Sequence, residues 1–180
     1  MQPTLTTARV TLRPATAADL DALHAVWAAR EVRRFLWDDQ EVTREMAEEA
    51  LAGALALADS GRGLWIVTLR EPAPQAVLGC AGLLPVTVAA EHDPRLAGMT
   101  EPLVSLSPAV WGEGLAGEAL AALQAHAAGM LGVARLAGVT DVPNEASDRM
   151  LRRAGFEVLG ETTGPRHPMR TYLWTAPPGR

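Results

Sequence analysis

Residues 103–120 read LVSLSPAVWGEGLAGEAL, and the fold turns on how they are parsed. Val104, Ser105 and Leu106 form a short β-like run that Pro108 closes. A glycine-rich turn follows, with Gly112, Gly114 and Gly117, and an alanine-rich helix then continues to about Leu131. Glycine in a strand-to-helix turn lets the backbone approach a ligand and aim its N–H groups outward, and the helix N-terminus adds partial positive charge. The stretch therefore reads as a cradle for a phosphate-bearing ligand.

Two common phosphate loops do not fit it. A Walker loop needs Lys followed by Ser or Thr after its last glycine, and all 16 basic residues here are Arg. Gly112, Gly114 and Gly117 do have the G-x-G-x-x-G spacing of a dinucleotide fingerprint. That fingerprint belongs in an early βαβ unit with an acid about 20 residues on, whereas this one lies past mid-chain and is followed by Arg135.

Working outward, the 180 residues suit one mixed α/β domain spanning 1–180, with an ordered core over about residues 8–175. Hydrophobic content of 48% and charged content of 21% are ordinary for a globular protein. No apolar run reaches the 18 or so residues of a membrane span, and MQPTLTTARV lacks a signal-peptide core, so a cytoplasmic protein with no membrane partner is expected. A net charge of −5 argues against nucleic acid and mildly favours cationic or amine ligands. Cys80, the single cysteine, lies in the apolar run VLGCAGLL and reads as a buried small hydrophobe. No metal site is expected.

Before the glycine turn, Val10 and Leu12 alternate with Arg9, Thr11 and Arg13 as a half-buried strand. Thr16 and Asp19 make a capping-box-like start to a helix carrying Leu20, Leu23, Val26 and Trp27. REVRRFLWDDQ reads as a solvated helix end with its aromatics packed inward, the alternative being a substrate-facing lip. A second helix is expected from about Thr43 to Asp59. Strands are expected at residues 64–70 and 77–85, joined by the hairpin loop EPAPQA. Residues 86–99 look mixed, with a loop at His92-Asp93-Pro94. After the central helix, residues 136–141 read as a strand parallel to the one at Val104. A short helix at residues 145–153, closing strands at 156–160 and 171–174, and a frayed APPGR tail complete the chain. The expected architecture is a largely antiparallel sheet with helices on both faces.

This order and two motifs resemble the GNAT superfamily of acetyl-CoA-dependent N-acetyltransferases, nearest the ribosomal-protein N-terminal alanine/serine (RimJ/RimL-like) branch. WGEGLAGEAL resembles that branch's W-G-x-G-Y/L-A-x-E-A-L/M block. Gly114 and Ala116 match the broader Q/R-x-x-G-x-G/A pattern, with Trp111 in the Gln/Arg place. NEASDRMLRRAGF is similar to a second block, with Asn144, Ser147, Met150, Gly155 and Phe156 in register.

The resemblance implies that backbone N–H groups of Trp111, Gly112, Glu113, Gly114, Leu115, Ala116 and Gly117 hold the pyrophosphate of acetyl-CoA (coenzyme A). It further implies that Val104, Ser105 and Leu106 pair by backbone with the pantetheine arm, beside a splayed parallel strand pair. One N–H there would polarise the thioester carbonyl. Asn144 is expected on the cofactor side, and Ser147 is placed to hydrogen-bond the leaving thiolate. Tyr172, the only Tyr, is a weaker candidate for that role. Glu101 aligns with the acid that begins the branch's E-L/I-G-Y-x-L/I strand and is the first choice of general base, a solvated strand-start carboxylate being the alternative. Glu118 reads as a structural hydrogen-bond partner. Glu113 stands where relatives often carry Lys or Arg. His24 and His126 read as surface or packing residues, and His92 and His167 as loop residues bordering a substrate site.

The expected activity is acetyl transfer to a primary amine by direct attack, the acceptor being a small molecule or a protein N-terminus. A non-catalytic acyl-CoA-binding or regulatory domain is the alternative. A homodimer contact through Trp37 or Trp174 is a further open expectation.

Overall fold

The computed structural model describes residues 1–71 and 76–178. In chain order it contains β1 (Leu5–Thr6), β2 (Val10–Pro14), α1 (Leu20–Trp27), α2 (Arg30–Leu36), α3 (Arg44–Leu55), β3 (Gly63–Leu69) and β4 (Val77–Pro85). There follow α4 (Val88–His92), β5 (Thr100–Leu106), α5 (Leu115–Gly129), β6 (Arg135–Asp141), α6 (Glu145–Arg153), β7 (Glu157–Thr162) and β8 (Met169–Thr175). Residues 72–75 of the expected hairpin loop and the last two of the expected frayed tail lie outside the described residues. Among the described residues no helix is long and apolar enough to cross a membrane.

The chain forms two compact units, residues 1–84 with 103–123 and residues 85–102 with 124–180. In the first, β1 to β5 lie in sequence order in one sheet. β3 is buried along nearly its whole length, as a central strand must be. Leu64, Ile66 and Cys80 meet Leu23, Val26 and Trp27 of α1 and Ala47, Leu51 and Ala54 of α3 in one apolar cluster. The alternating Trp65 and Val67 are buried too, on the opposite face that the strand's two-residue period assigns them. The expected capping box forms: the Asp19 carboxylate accepts from the Thr16 backbone N–H at 2.8 Å and its hydroxyl at 2.9 Å. Thr43 caps α3 by accepting from the Met46 N–H.

REVRRFLWDDQ folds as a separate helix, α2, rather than the frayed end of α1. It ends where Asp38 and Asp39 adopt left-handed φ values of 52° and 61°. Helix periodicity over seven residues is too short a signal to separate these two cases. Residues 86–99 likewise hold more structure than their composition suggests. α4 is followed by a 3-10 turn whose first residues are capped by Asp93, the Arg95 N–H donating to its carboxylate.

The second unit is built on a three-stranded antiparallel sheet of order β6-β8-β7. This changes the expected single sheet. β6, read from sequence as a strand parallel to the one at Val104, pairs antiparallel with β8, from Arg135 opposite Thr175 to Asp141 opposite Met169. The chain turns back after β7 and lays β8 along the full length of β6, a nonlocal pairing that local pattern cannot announce. Val86, Ala89, Leu96, Ala137 and Met169 form this unit's small core. Trp174, offered above as a dimer contact, is buried against Phe156 with ring centroids 6.5 Å apart. Trp37 is half-buried and packs on Trp27 at 5.7 Å.

One glycine controls where β5 runs. At a register shift in the β3–β4 ladder, Gly79 has φ of 145°, and a Cβ there would lie 2.1 Å from the Ser105 carbonyl oxygen. Gly79→Ala should therefore lower stability by about 1–3 kcal/mol, through forced displacement of β5. Gly53→Ala, in α3 with open space around it, should raise stability by about 0.5–1 kcal/mol. Urea denaturation of both variants checks the contrast.

Candidate active site

β5 has β4 on one side and no strand partner on the other among the described residues. The Ser107 N–H donates to the Leu78 carbonyl at 2.7 Å, and the Ser105 carbonyl abuts Gly79, so the odd-numbered residues turn their backbone toward β4. Alternation along a strand then aims the backbone of Val104 and Leu106 at the open edge. Of the three residues expected to pair with a pantetheine arm, Val104 and Leu106 present their polar groups outward, while Ser105 faces β4. The Leu106 carbonyl is already engaged, accepting from the Trp111 indole N–H at 2.8 Å. What remains outward is the N–H and C=O of Val104 and the N–H of Leu106. The indole of Trp111 is itself about half exposed.

The turn after β5 keeps the geometry its composition implies. Gly112 and Gly114 have φ of 81° and 80°, a region that side-chain-bearing residues rarely adopt. Gly117 lies in the first turn of α5, and no atom stands within 4 Å of where its Cβ would be. The Trp111 N–H, also expected in the cradle, instead donates to the Pro108 carbonyl at 3.2 Å, whereas the N–H groups of Gly112, Glu113 and Gly114 donate to nothing among the described residues. Those of Leu115, Ala116 and Gly117 belong to the first helical turn, which has no intrahelical acceptor. A run of unpaired donors on open, glycine-bearing backbone at a helix N-terminus fits the pyrophosphate that the family resemblance implies. The Glu113 side chain is exposed, and its carbonyl points to Arg9, whose Nη1 donates to it at 2.9 Å.

Glu118 is structural, as expected. Its carboxylate accepts from the Thr7 hydroxyl at 2.9 Å, the Arg9 backbone N–H at 3.2 Å and Arg9 Nε. Burial raises its pKa, but the bonds from Arg9 and Thr7 outweigh that and leave it below the usual carboxylate value. Arg9 was not legible as part of this site. It precedes a strand in a run of alternating residues, and nothing local links it to a helix more than a hundred positions away.

Glu101 stands near the start of β5, half-buried, with no hydrogen-bond or ion-pair partner among the described residues. Removal from water, with no cation to offset it, pushes its carboxyl up to about 7. Asn144 caps α6, its side-chain oxygen accepting from the Ser147 N–H at 3.2 Å. The Ser147 hydroxyl, half-buried in the first turn of α6, makes no bond within the described chain.

Tyr172 is unsuited to proton donation. It is fully buried, and its hydroxyl donates to Asp148 at 2.6 Å. Burial, together with that carboxylate, pushes its pKa up to about 12. Asp148, partly buried, is held well below the carboxylate range by Tyr172, Arg152 and Arg170. This cluster fixes α6, and with it Ser147, to β8; the role of Asp148 was invisible in the sequence. His24 packs with Nε2 2.9 Å from the Val42 carbonyl, and His126 is buried in α5. His92 ends α4, and His167 lines a shallow concavity in the β7–β8 turn with Glu161, Arg166 and Pro168. Cys80 is buried beside Trp27, and burial pushes its thiol up to about 12, which rules out a thiolate at neutral pH.

Comparison with known proteins identifies the family. A sequence model described as an acetyltransferase (GNAT) domain matches residues 9–157. An uncharacterized N-acetyltransferase of Bacillus subtilis, YoaA, is 29% identical over 161 residues, covering 89% of this chain and 86% of that protein. A GNAT-family acetyltransferase structure from Bordetella pertussis superposes with a TM-score of 0.79 at 24% identity, covering 96% of this chain and 99% of the other. RimL, a ribosomal-protein alpha-N-acetyltransferase solved in complex with coenzyme A, superposes with a TM-score of 0.76 at 18% identity, covering 96% and 98%. The family match, running through the glycine turn, Glu101 and Ser147, shows that this chain belongs to the GNAT acetyltransferases, which draw their acetyl group from acetyl-CoA.

Proposed function

We propose that the chain transfers acetyl groups to a primary amine by direct attack, with Glu101 as the base that takes the amine's proton. The observation that carries this reading is the Glu101 carboxyl: half-buried, without a cationic partner, and pushed up to about 7. A carboxyl in that state accepts a proton near neutral pH far better than an exposed one, and a general base works best with a pKa close to the working pH.

When bound, acetyl-CoA supplies an activated thioester carbonyl. The unpaired N–H groups of residues 112–117 are assigned to its pyrophosphate, and the outward backbone of Val104 and Leu106 to its pantetheine arm. Asn144 acts on the cofactor side by holding the first turn of α6, and the Ser147 hydroxyl holds a proton for the departing sulfur. The family match runs through both compact units, which supports reading residues 1–180 as one acetyltransferase domain.

Proton affinity favours an α-amine as acceptor. Moving a proton from an α-ammonium, with a pKa near 8, to Glu101 is uphill by about 1 unit; from a lysine-type ammonium it is uphill by about 3. Similarity to RimL supports the same choice of a protein N-terminus. Coenzyme A release should therefore be faster with N-terminal peptides than with alkyl amines in a mixed amine panel. Tight coenzyme A binding without release on any amine would instead favour the non-catalytic acyl-CoA binder.

Glu101 must be deprotonated to act, so kcat/KM should rise with pH through about 7. Glu101→Gln should remove that limb and lower kcat about 100-fold or more, with coenzyme A affinity unchanged by calorimetry. Ser147→Ala should lower kcat about tenfold while leaving the pH profile in place, because it loses one hydrogen bond to the leaving group.

A further inference from the structure

The structure assigns Arg9 the role of a positioning residue that aims the Gly114 N–H into the phosphate cradle. This inference rests on the reading of residues 112–117 as the coenzyme A pyrophosphate site. Arg9 lies just before β2, and its backbone is fixed at both ends: its N–H donates to Glu118 at 3.2 Å, and its carbonyl accepts from the Arg70 N–H at 2.9 Å. Its guanidinium makes two hydrogen bonds from different nitrogens. Nε is paired with the Glu118 carboxylate in the first turn of α5, and Nη1 donates to the Glu113 carbonyl at 2.9 Å. Nη2 lies 3.4 Å from the position that a Gly114 Cβ would occupy.

The peptide plane converts that contact into an effect on the ligand side. The Glu113 carbonyl and the Gly114 N–H belong to one planar trans peptide and point in opposite directions. Drawing the carbonyl to Arg9 therefore turns the Gly114 N–H away from Arg9, where it has no acceptor in the chain. Glu113 is exposed and lies between two glycines with φ of 81° and 80°, so side-chain packing does not hold this peptide in place. Glu118 completes the device. It holds the guanidinium in register and neutralises its charge, so that Arg9 works through direction rather than through long-range attraction.

The test uses the full chain and coenzyme A as the probe. Calorimetric Kd, thermal midpoint, and steady-state kcat and KM are measured for the wild type, Arg9→Met and Arg9→Lys. Arg44→Met, which breaks the exposed pair with Asp21, serves as a control for loss of a surface ion pair. Loss of one oriented N–H donor to a charged acceptor predicts a Kd for coenzyme A weaker by roughly tenfold or more in Arg9→Met. KM for acetyl-CoA rises in proportion, while kcat at saturation and KM for the amine stay within about twofold. Arg9→Lys keeps the charge but cannot make both bonds, so it should weaken binding nearly as much. Where Arg9→Met is unstable, the same comparison on Arg9→Lys, with the Gly114 amide resonance as a second readout, decides the matter. Unchanged affinity in folded Arg9 variants overturns the inference, as does full rescue by Lys. Failure of the wild type to bind coenzyme A overturns the cradle reading and this inference with it, whereas binding by the wild type without turnover sinks only the role of Glu101.

Discussion

Backbone polar groups that leave water must find partners within the chain, whereas the open edge of β5 and the exposed turn after it keep several groups unpaired and free to meet a ligand. One edge of β5 is satisfied by β4; the other is left without a strand among the described residues. The turn at residues 112–114 continues the deficit, and the first turn of α5 extends it, because a helix start always leaves N–H groups unpaired. Gly112 and Gly114 are needed to hold that path, since their left-handed φ values would strain a side-chain-bearing residue. A ligand rich in acceptors and able to lie along an extended strand answers this deficit.

The remaining side chains stabilise that arrangement without filling it. Gly79 lets β4 and β5 approach closely enough to hold Ser105 inward, so that Val104 and Leu106 face out. Trp111 occupies the Leu106 carbonyl and thereby marks where the open edge of the strand ends. Arg9, Thr7 and Glu118 join the beginning of the chain to the helix that bears the cradle. In the second unit, Tyr172, Asp148 and Arg170 perform the corresponding service for α6 and the Ser147 hydroxyl. The charged networks in both units are thus supports. The one carboxyl on β5, Glu101, has no such partner among the described residues and is the group proposed as the base.

Much of this was legible in residue order. Strand alternation at Val10 and Leu12, the capping pair Thr16 and Asp19, and the glycine spacing at residues 112–117 are local signals, each tied to backbone geometry over a few residues. The two motif blocks carried the family, the first of them held Glu118 as a structural acid, and the apolar run VLGCAGLL marked Cys80 as a buried hydrophobe. The division of strands into two sheets was not legible, because β6 finds β8 across the whole of residues 142–168. The seven-residue α2 was lost for the opposite reason, being too short for its period to register.

By itself, then, the sequence determined the elements, the glycine cradle, and the chemistry that a strand, turn and helix of this composition can offer. Only the tertiary structure decided which groups are left over for a ligand. Whether Glu101 is a solvated carboxylate or a desolvated base depends on what surrounds it, and whether Tyr172 can give up a proton depends on Asp148. Whether the Gly114 N–H points outward depends on an arginine placed more than a hundred residues earlier. Burial and hydrogen bonding are properties of neighbours in space, and folding alone brings those neighbours together.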